Sequence, residues 1–352
     1  MRRQVGTALV GILSVACLAF AGWAKAGIVS EVHVFGDSLS DNGNLRAATA
    51  GLLPAPFEIP PDPPYVNGRR SNGPVWTDYV EALVPATTLT NAAVAGAISG
   101  VFVHPALGSI DNLNDIAIAD IFQTVTGTPQ KLPDVIGLRE QVTRFAGPSD
   151  PNNAVHVVWI GANDFFSGVR TPGDIIADVA GAIADLTAKG AMHFVVPNLP
   201  DLGLTPLAAA LNVSAPGTQA TLSAGSVGFN GALVPQMATL AGALGVSIEV
   251  VDIFTAFNEL LVSAAASGID TANPCIPVLP GSTVPIVPTA PNCGDPNGFI
   301  FYDAIHPTTF VHERIANTIL PALNVVPEPS ALALLGFGGL ILVLRVGARR
   351  KG

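Results

Sequence analysis

The first predicted strand, residues 28–35, leads directly into the turn Gly36-Asp37-Ser38-Leu39-Ser40-Asp41-Asn42-Gly43-Asn44. Open α/β sheets bind ligands beyond the carboxyl ends of their strands, which is where this turn places Ser38. Backbone N–H groups at the start of the next helix could meet a developing negative charge there. Taken alone, the turn fits a second interpretation equally well, because Asp37 and Ser38 could simply cap that helix.

Hydrophobic runs of strand length alternate with longer helix-like segments through most of the chain. Strands that are buried on both faces of a parallel sheet have continuous runs of this kind. The predicted strands are 28–35, 88–94, 155–160, 193–196 and 247–251, and the predicted helices include 134–145, 172–189 and 218–244. This order predicts one α/β domain with a three-layer α/β/α sandwich. Pro-rich segments at 53–74 and 273–296 are predicted to be long loops that build the rim of a site.

A second polar group lies more than 260 residues downstream, in Asp303-Ala304-Ile305-His306-Pro307-Thr308. A serine hydroxyl needs a base that works near neutral pH, and histidine is the side chain suited to that role. His306 is the predicted base, and Asp303 is near enough along the chain to orient its imidazole and to stabilise its charged form. An isolated Asp-x-x-His sequence could equally mark the start of a helix.

Two further segments follow the second and third predicted strands, Ala95-Gly96-Ala97 and Gly161-Ala162-Asn163-Asp164. A tetrahedral oxyanion is stabilised by amide side chains and backbone N–H groups that are held in place before the reaction. Gly96 and Asn163 are therefore the predicted oxyanion donors. Asp164 is predicted to support the loop that aims Asn163.

In this order, the four blocks resemble those of the GDSL/SGNH hydrolase family. The resemblance implies Ser38 as nucleophile, His306 as base and Asp303 as its partner. It implies an oxyanion hole formed by the Ser38 and Gly96 N–H groups and the Asn163 amide. It also implies a flavodoxin-like five-stranded parallel sheet, cleavage of carboxylic esters by a lipase or esterase, and no metal or organic cofactor.

Residues 35–44, 68–69 and 71–76 resemble more closely the branch that contains extracellular lipases, phospholipases and plant esterases. Ala95 is a departure, because that branch usually has a second glycine beside Gly96. Two other functions stay open: an acyltransferase that uses the same acyl-enzyme, and a catalytically silent surface or matrix-binding protein. No serine has glycines two positions before and two after it, so the nucleophile elbow of α/β-hydrolases is absent.

The two ends of the chain have the patterns of targeting segments. Residues 1–26 join a basic start, an apolar run and Ala24-Lys25-Ala26, which is typical of a secretory signal peptide cleaved after Ala26. A retained anchor is the alternative. Residues 327–352 join Pro327-Glu328-Pro329, an apolar run and a basic end, and they resemble the PEP-CTERM sorting signal. A plain C-terminal anchor is the alternative there.

These segments predict export to the cell surface or the medium, with signal peptidase and an exosortase-type enzyme as processing partners. The predicted hydrolase domain, residues 27–326, carries 9 of the 16 basic and 25 of the 26 acidic residues. Such a surface repels nucleic acid. The resemblance to GDSL/SGNH hydrolases implies an ester or lipid substrate as the partner, and we expect this domain to be monomeric.

Two cysteines remain once the predicted signal peptide and its Cys17 are removed. Cys275 and Cys293 form an even pair in a chain sent to an oxidising compartment, which predicts a disulfide between them. By closing the intervening loop it would contribute about 3 kcal/mol to stability. Two free thiols are the alternative.

Overall fold

The structure is a computed structural model that describes residues 29–53, 57–84, 87–276 and 293–323. The predicted signal peptide and the predicted PEP-CTERM tail lie outside these ranges. Within the described residues, no helix is both long enough and apolar enough to cross a membrane.

Five parallel strands form the central sheet. They are β1 (Glu31–Gly36), β2 (Thr88–Asn91), β5 (Ala154–Trp159), β6 (His193–Pro197) and β7 (Ser247–Val251). Their order across the sheet is β2-β1-β5-β6-β7, and every neighbouring pair is parallel. This is the flavodoxin-like order, with the first strand between the second and the third strand of the sheet. The predicted fold class is confirmed.

Ten helices are described around this sheet. They are α1 (Asn44–Thr49), α2 (Trp76–Leu83), α3 (Asn114–Thr126), α4 (Leu138–Arg144), α5 (Ala162–Ser167), α6 (Pro172–Ala188), α7 (Pro206–Ser214), α8 (Thr218–Leu244), α9 (Ile253–Ala266) and α10 (Thr309–Leu323). Buried side chains of α2, α9 and α10 pack on one face of the sheet, and those of α4, α6 and α8 on the other. The sheet and the helices on its two faces are therefore the three layers, and a hydrophobic core lies on each side of the sheet.

Two small sheets were not predicted. Strands β3 (Ala97–His104) and β4 (Gly108–Asn112) form an antiparallel hairpin, and β8 (Asp270–Pro274) pairs with β9 (Phe299–Phe301) in parallel. The strand predicted for residues 88–94 also ends early, at Asn91. Its side chain accepts the Ala93 N–H and donates to the Ser40 carbonyl, while the amides of Ala92 and Val94 still donate to carbonyls of β1.

The structure describes the two Pro-rich segments, which were predicted to be long loops, to different extents. The described part of 53–74 has no helix or strand of its own, apart from an isolated bridge between Val66 and Arg69, yet Tyr65 and Arg70 within it are buried. Only the two ends of 273–296 are described. Those ends are joined by a disulfide between Cys275 and Cys293.

Candidate active site

Ser38 lies in the turn that follows β1, at the carboxyl end of the sheet. Two amides, those of Ser40 and Asp41, donate to the Asp37 carbonyl and close the turn. A Cβ on Gly36 would lie 2.3 Å from the Trp159 carbonyl oxygen, so only glycine allows β1 and β5 to come this close together. Ser38 itself is 6% exposed.

The structure brings the predicted nucleophile and base together. His306 Nε2 lies 2.8 Å from Ser38 Oγ, and His306 Nδ1 lies 2.7 Å from Asp303 Oδ2. Asp303 and His306 occupy the turn between β9 and α10, which begins only at Thr309. The alternative of a helix start is therefore wrong for these two residues.

Both oxygens of the Asp303 carboxylate accept hydrogen bonds. The Ile305 and His306 amides donate to Oδ1, while His306 Nδ1 and the Tyr65 hydroxyl donate to Oδ2. Burial raises the pKa of Asp303, but the charge of His306 and hydrogen bonds from His306, Tyr65 and Ile305 outweigh it, so this pKa lies below its ordinary value. A carboxylate that stays ionised can stabilise an imidazolium.

Asn163 is the second residue of α5, the helix that follows β5, and it lines the same cavity as Ser38 and His306. Its Nδ2 donates one hydrogen bond to the Ala97 carbonyl at 2.9 Å. An amide nitrogen carries two hydrogens, so the second is left for an oxygen in the cavity. Asp164 accepts hydrogen bonds from the amide and hydroxyl of Ser99, and so joins this helix to β3, a strand that was not predicted.

Gly96 has a backbone φ of +82° in the turn before β3, a conformation that favours glycine. A Cβ there would lie 2.1 Å from Asn114 Nδ2 and 2.6 Å from Asn112 Oδ1. Ala95, the departure from the family pattern, is buried, and its amide donates to Asp41 Oδ2 at 2.7 Å. Of these two residues, Gly96 takes the left-handed conformation and Ala95 does not. An alanine at position 95 is therefore compatible with this turn.

The amides of Ser38 and Gly96 have no hydrogen-bond acceptor in the part of the chain that the structure describes. Together with Asn163 Nδ2, they are three donors in the turns that follow β1, β2 and β5. Because β1 lies between β2 and β5, the ends of these three strands are neighbours. Ser38 and Asn163 line the cavity, whereas Gly96 is not part of its lining. The arrangement can hold a carbonyl oxygen while Ser38 attacks the carbon.

The cavity beside Ser38 is narrow, with a volume of about 40 Å³ available to water-sized molecules. Its walls are mainly apolar and include Leu39, Trp159, Phe166, Ile253, Phe257 and Phe301. Of the described residues that line it, none is Lys or Arg. An uncharged hydrocarbon group fits such walls, whereas they offer no cation to an anionic one.

Sequence reasoning missed two residues that hold the site in place. Asp41 accepts the amides of Gly43, Asn44, Leu45 and Ala95, which ties the nucleophile turn to the turn of Gly96. Its position in an Asp-Asn-Gly sequence was a usable signal, because Asp in a turn commonly accepts nearby backbone amides. Tyr65 contacts Asp303 across 238 positions, and no local pattern could have shown this.

A third buried residue without a local sequence signal is His312, which lies on the inner face of α10 and is 1% exposed. Burial, with a smaller contribution from His306, lowers its pKa to about 3. His312 is therefore neutral near pH 7.

Comparison with known proteins agrees with this geometry. The family model described as GDSL-like Lipase/Acylhydrolase matches residues 32–319. Phosphatidylcholine-sterol acyltransferase of Aeromonas hydrophila is 26% identical over 330 residues, covering 82% of this chain and 88% of that protein. Thermolabile hemolysin of Vibrio parahaemolyticus is 26% identical over 306 residues, covering 85% of this chain and 65% of that protein.

Solved structures are more distant. TesA is 12% identical with a TM-score of 0.32, covering 84% of this chain and 98% of that one. A family two carbohydrate esterase from Cellvibrio japonicus is 15% identical with a TM-score of 0.37, covering 85% and 62%. With TM-scores this low, the family assignment depends on the sequence match, which spans most of the chain. The chain belongs to the GDSL-like lipase/acylhydrolase family.

Proposed function

We propose that the chain is an exported serine hydrolase that cleaves carboxylic esters through an acyl-enzyme intermediate. The observation that carries the proposal is the hydrogen-bonded series Ser38–His306–Asp303 at the mouth of an apolar cavity. A serine becomes nucleophilic when a base takes its proton, and a third group that orients the base makes the transfer efficient.

The reaction has two halves that use the same residues. His306 takes the Ser38 proton as Oγ attacks the ester carbonyl, and the oxyanion receives hydrogen bonds from the Ser38 and Gly96 amides and from Asn163. His306 then gives its proton to the departing alcohol. In the second half His306 activates water, which attacks the acyl-enzyme and releases the acid.

The acyl half of the substrate fits the apolar cavity. Because the lining offers aromatic and aliphatic side chains and no cation, we propose a hydrocarbon acyl chain there. A positively charged subsite for a phosphate group would need Lys or Arg. The proposal leaves the alcohol half of the ester unassigned.

We also propose that the chain acts at the cell surface or in the medium after processing at both ends. The support is the composition of residues 1–26 and 327–352 together with the Cys275–Cys293 disulfide, which persists in oxidising compartments. Mass spectrometry of the native protein tests this. Intact termini in material from the cytoplasmic fraction would contradict it.

The deciding experiment is hydrolysis of p-nitrophenyl esters from acetate to palmitate by the purified chain, with Ser38→Ala as the matched control. We expect turnover that the substitution removes, and a rate that varies with chain length because the cavity binds the acyl group. Equal turnover by both proteins would contradict a serine hydrolase and would favour a protein that only binds a surface or matrix.

A second candidate is acyl transfer to an alcohol or sterol. It is favoured by the relative from Aeromonas hydrophila, which is named as an acyltransferase and matches 82% of this chain. Both activities share the acyl-enzyme and differ only in the acceptor. Adding a long-chain alcohol to the hydrolysis assay separates them, since a transferase forms a new ester at the expense of free acid.

A further inference from the structure

Tyr65 shares an oxygen of the Asp303 carboxylate with the base. Its hydroxyl donates to Asp303 Oδ2 at 2.5 Å, and His306 Nδ1 lies 2.7 Å from the same oxygen. Tyr65 is fully buried in the described part of the Pro-rich segment 53–74. The contact therefore fastens a segment without regular structure directly to the proposed catalytic series.

The ring of Tyr65 is held from several sides. Tyr302 packs edge-to-face against it at 5.7 Å between centroids and donates its own hydroxyl to the Pro64 carbonyl, next to Tyr65. The Arg70 guanidinium lies 5.4 Å from the ring centroid. Cys275, half of the disulfide, belongs to the same buried cluster. With these neighbours in place, the hydroxyl has little freedom to leave Asp303.

The phenol keeps its proton throughout the pH range in which a serine hydrolase works. Burial and the charge of Asp303 raise the pKa of Tyr65 well above its ordinary value, although Arg70 opposes this. Tyr65 is therefore always the donor and Asp303 always the acceptor. A hydrogen bond from the Tyr65 hydroxyl partly neutralises the negative charge of the Asp303 carboxylate. That charge favours the protonated form of the neighbouring imidazole, so the hydrogen bond weakens this effect.

We infer that Tyr65 is a positioning residue of the proposed hydrolase, which sets both the orientation of Asp303 and how strongly that carboxylate retains a proton on His306. This inference rests on the proposed function. All four hydrogen-bonding positions of the carboxylate are used, two by backbone amides on Oδ1 and two by Tyr65 and His306 on Oδ2. Without the phenol, the carboxylate could rotate about its own bond and would attract the imidazolium proton more strongly.

Other titratable or charged groups surround this pair on each packed element. Arg70 and Asp62 lie on the same segment as Tyr65, Tyr302 precedes Asp303, His312 lies on α10 and Asp37 precedes Ser38. Each of them is retained when Tyr65 loses only its hydroxyl. A change in pH dependence in that variant therefore reports the missing phenol.

The first test compares Tyr65→Phe with the unmodified chain by the rate at which a fluorophosphonate labels Ser38 across pH. This reagent reports the activated serine whatever the natural ester is. We expect the maximal rate to fall about tenfold, because a small misplacement of catalytic groups is costly. We expect the acid limb of the profile to move to higher pH, by on the order of half a unit, because His306 keeps its proton longer.

Tyr79→Phe is the matched control. Tyr79 lies on α2, and its hydroxyl bonds to Thr309 Oγ1 at 2.8 Å, away from Asp303. The same chemical deletion there should leave the acid limb in place. An equal movement of the limb in both variants would overturn the inference.

The second test needs no substitution, so it stays decisive if Tyr65→Phe does not fold. The chain has only three tyrosines, which makes complete replacement by 3-fluorotyrosine practical. The more acidic phenol donates a stronger hydrogen bond to Asp303, and we expect the acid limb to move to lower pH, opposite to Tyr65→Phe. A limb that stays in place in the fluorinated chain would overturn the positioning role. Absence of any labelling of Ser38 in the unmodified chain would instead overturn the proposed hydrolase and, with it, this inference.

Discussion

Two buried histidine–carboxylate pairs occur among the residues that the structure describes, and only one of these two contacts a nucleophile. At the carboxyl end of the sheet, His306 Nδ1 lies 2.7 Å from Asp303 Oδ2. Within β1, His33 Nε2 lies 2.8 Å from Glu31 Oε2. The two pairs have nearly the same distance and nearly the same burial, so neither property distinguishes a catalytic pair from a structural one.

The difference lies at the second nitrogen of each ring. His306 Nε2 faces Ser38 Oγ at the wall of a cavity. His33 Nδ1 instead contacts Thr90 Oγ1 at 2.5 Å, and its ring packs against Phe145 and His156. A pair of this kind supports catalysis only when the outer nitrogen reaches a reacting group. The following predictions use the β1 pair as an internal control.

The largest expected effect is the removal of the base. His306→Ala should lower kcat for ester hydrolysis by about 10⁶-fold, because the serine then has no proton acceptor. His33→Gln, which changes the structural histidine, should retain most of the activity. Steady-state kinetics on both purified variants decide this, and a loss in His33→Gln as large as in His306→Ala would remove the distinction between the pairs.

The next largest expected effect is the replacement of the carboxylate in each pair, which should lower kcat in one pair and not in the other. Asp303→Asn should lower kcat by about 10⁴-fold, because an amide can orient the imidazole wrongly and cannot stabilise its charge. Glu31→Gln should leave kcat almost unchanged. Circular dichroism on each protein checks that the fold is retained, and native kcat in Asp303→Asn would exclude Asp303 from the reaction.

The two ends of β5 allow a similar comparison for the oxyanion. Asn163→Ala, after the strand, should lower kcat about 100-fold to 1,000-fold with little change in KM. Asn153→Ala, just before the same strand, removes an amide that bonds Asp150 at 2.9 Å and should not affect turnover. Unchanged kcat in Asn163→Ala would end its role as an oxyanion donor.

The smallest expected effect concerns stability. Burial raises the pKa of Glu31, but hydrogen bonds from Ser149, His33 and Asp150 outweigh this and lower it below its ordinary value. The ionised form therefore contributes stability above about pH 4.5, which is lost as the pH falls through the lower folded-state pKa. At pH 7, Glu31→Gln should reduce the free energy of unfolding by about 1–3 kcal/mol.

Urea unfolding at pH 7 and at pH 3 measures this contribution. The difference between Glu31→Gln and the unmodified chain should shrink at the lower pH, because Glu31 is then increasingly protonated in both the folded and the unfolded chain. A difference that is equal at the two pH values would show that packing, and not the charge, accounts for the loss.

The fold could largely be predicted from the sequence where hydrophobic runs are long and bounded by clear end signals. The strand 247–251 and the helix 218–244 have the predicted limits, and Gly245 ends that helix in the left-handed conformation. Strands β3, β4, β8 and β9 were missed. The residues of β4 and β8 are mostly polar, whereas β3 and β9 are largely apolar but pair in two-stranded sheets outside the main sheet. Helix α4 begins at Leu138, four residues later than predicted, because Gly137 before it has an extended backbone with φ −96° and ψ −174°.

The candidate site likewise contains some residues whose position could be predicted from the sequence and others whose position could not. Ser38, Gly96 and Asn163 follow strands that the sequence indicates, so their position at one end of the sheet follows from its parallel topology. The Asp303 turn follows β9, which was not predicted and which lies outside the central sheet. Tyr65 lies in a segment whose prolines and glycines predict only a loop, and its contact with Asp303 depends on how that loop packs. Burial of His312 depends on the inner face of α10, whose orientation was not predicted.

The contact between Ser38 and His306 spans 268 positions of the chain. A ribosome that adds 5–20 residues per second completes the proposed nucleophile roughly 10 to 50 seconds before the proposed base exists. During that time Ser38 is an ordinary hydroxyl, because the imidazole that would activate it has not been made. A hydrolase of this design protects the cell that synthesises it, since an unfinished or C-terminally truncated chain cannot attack the esters around it.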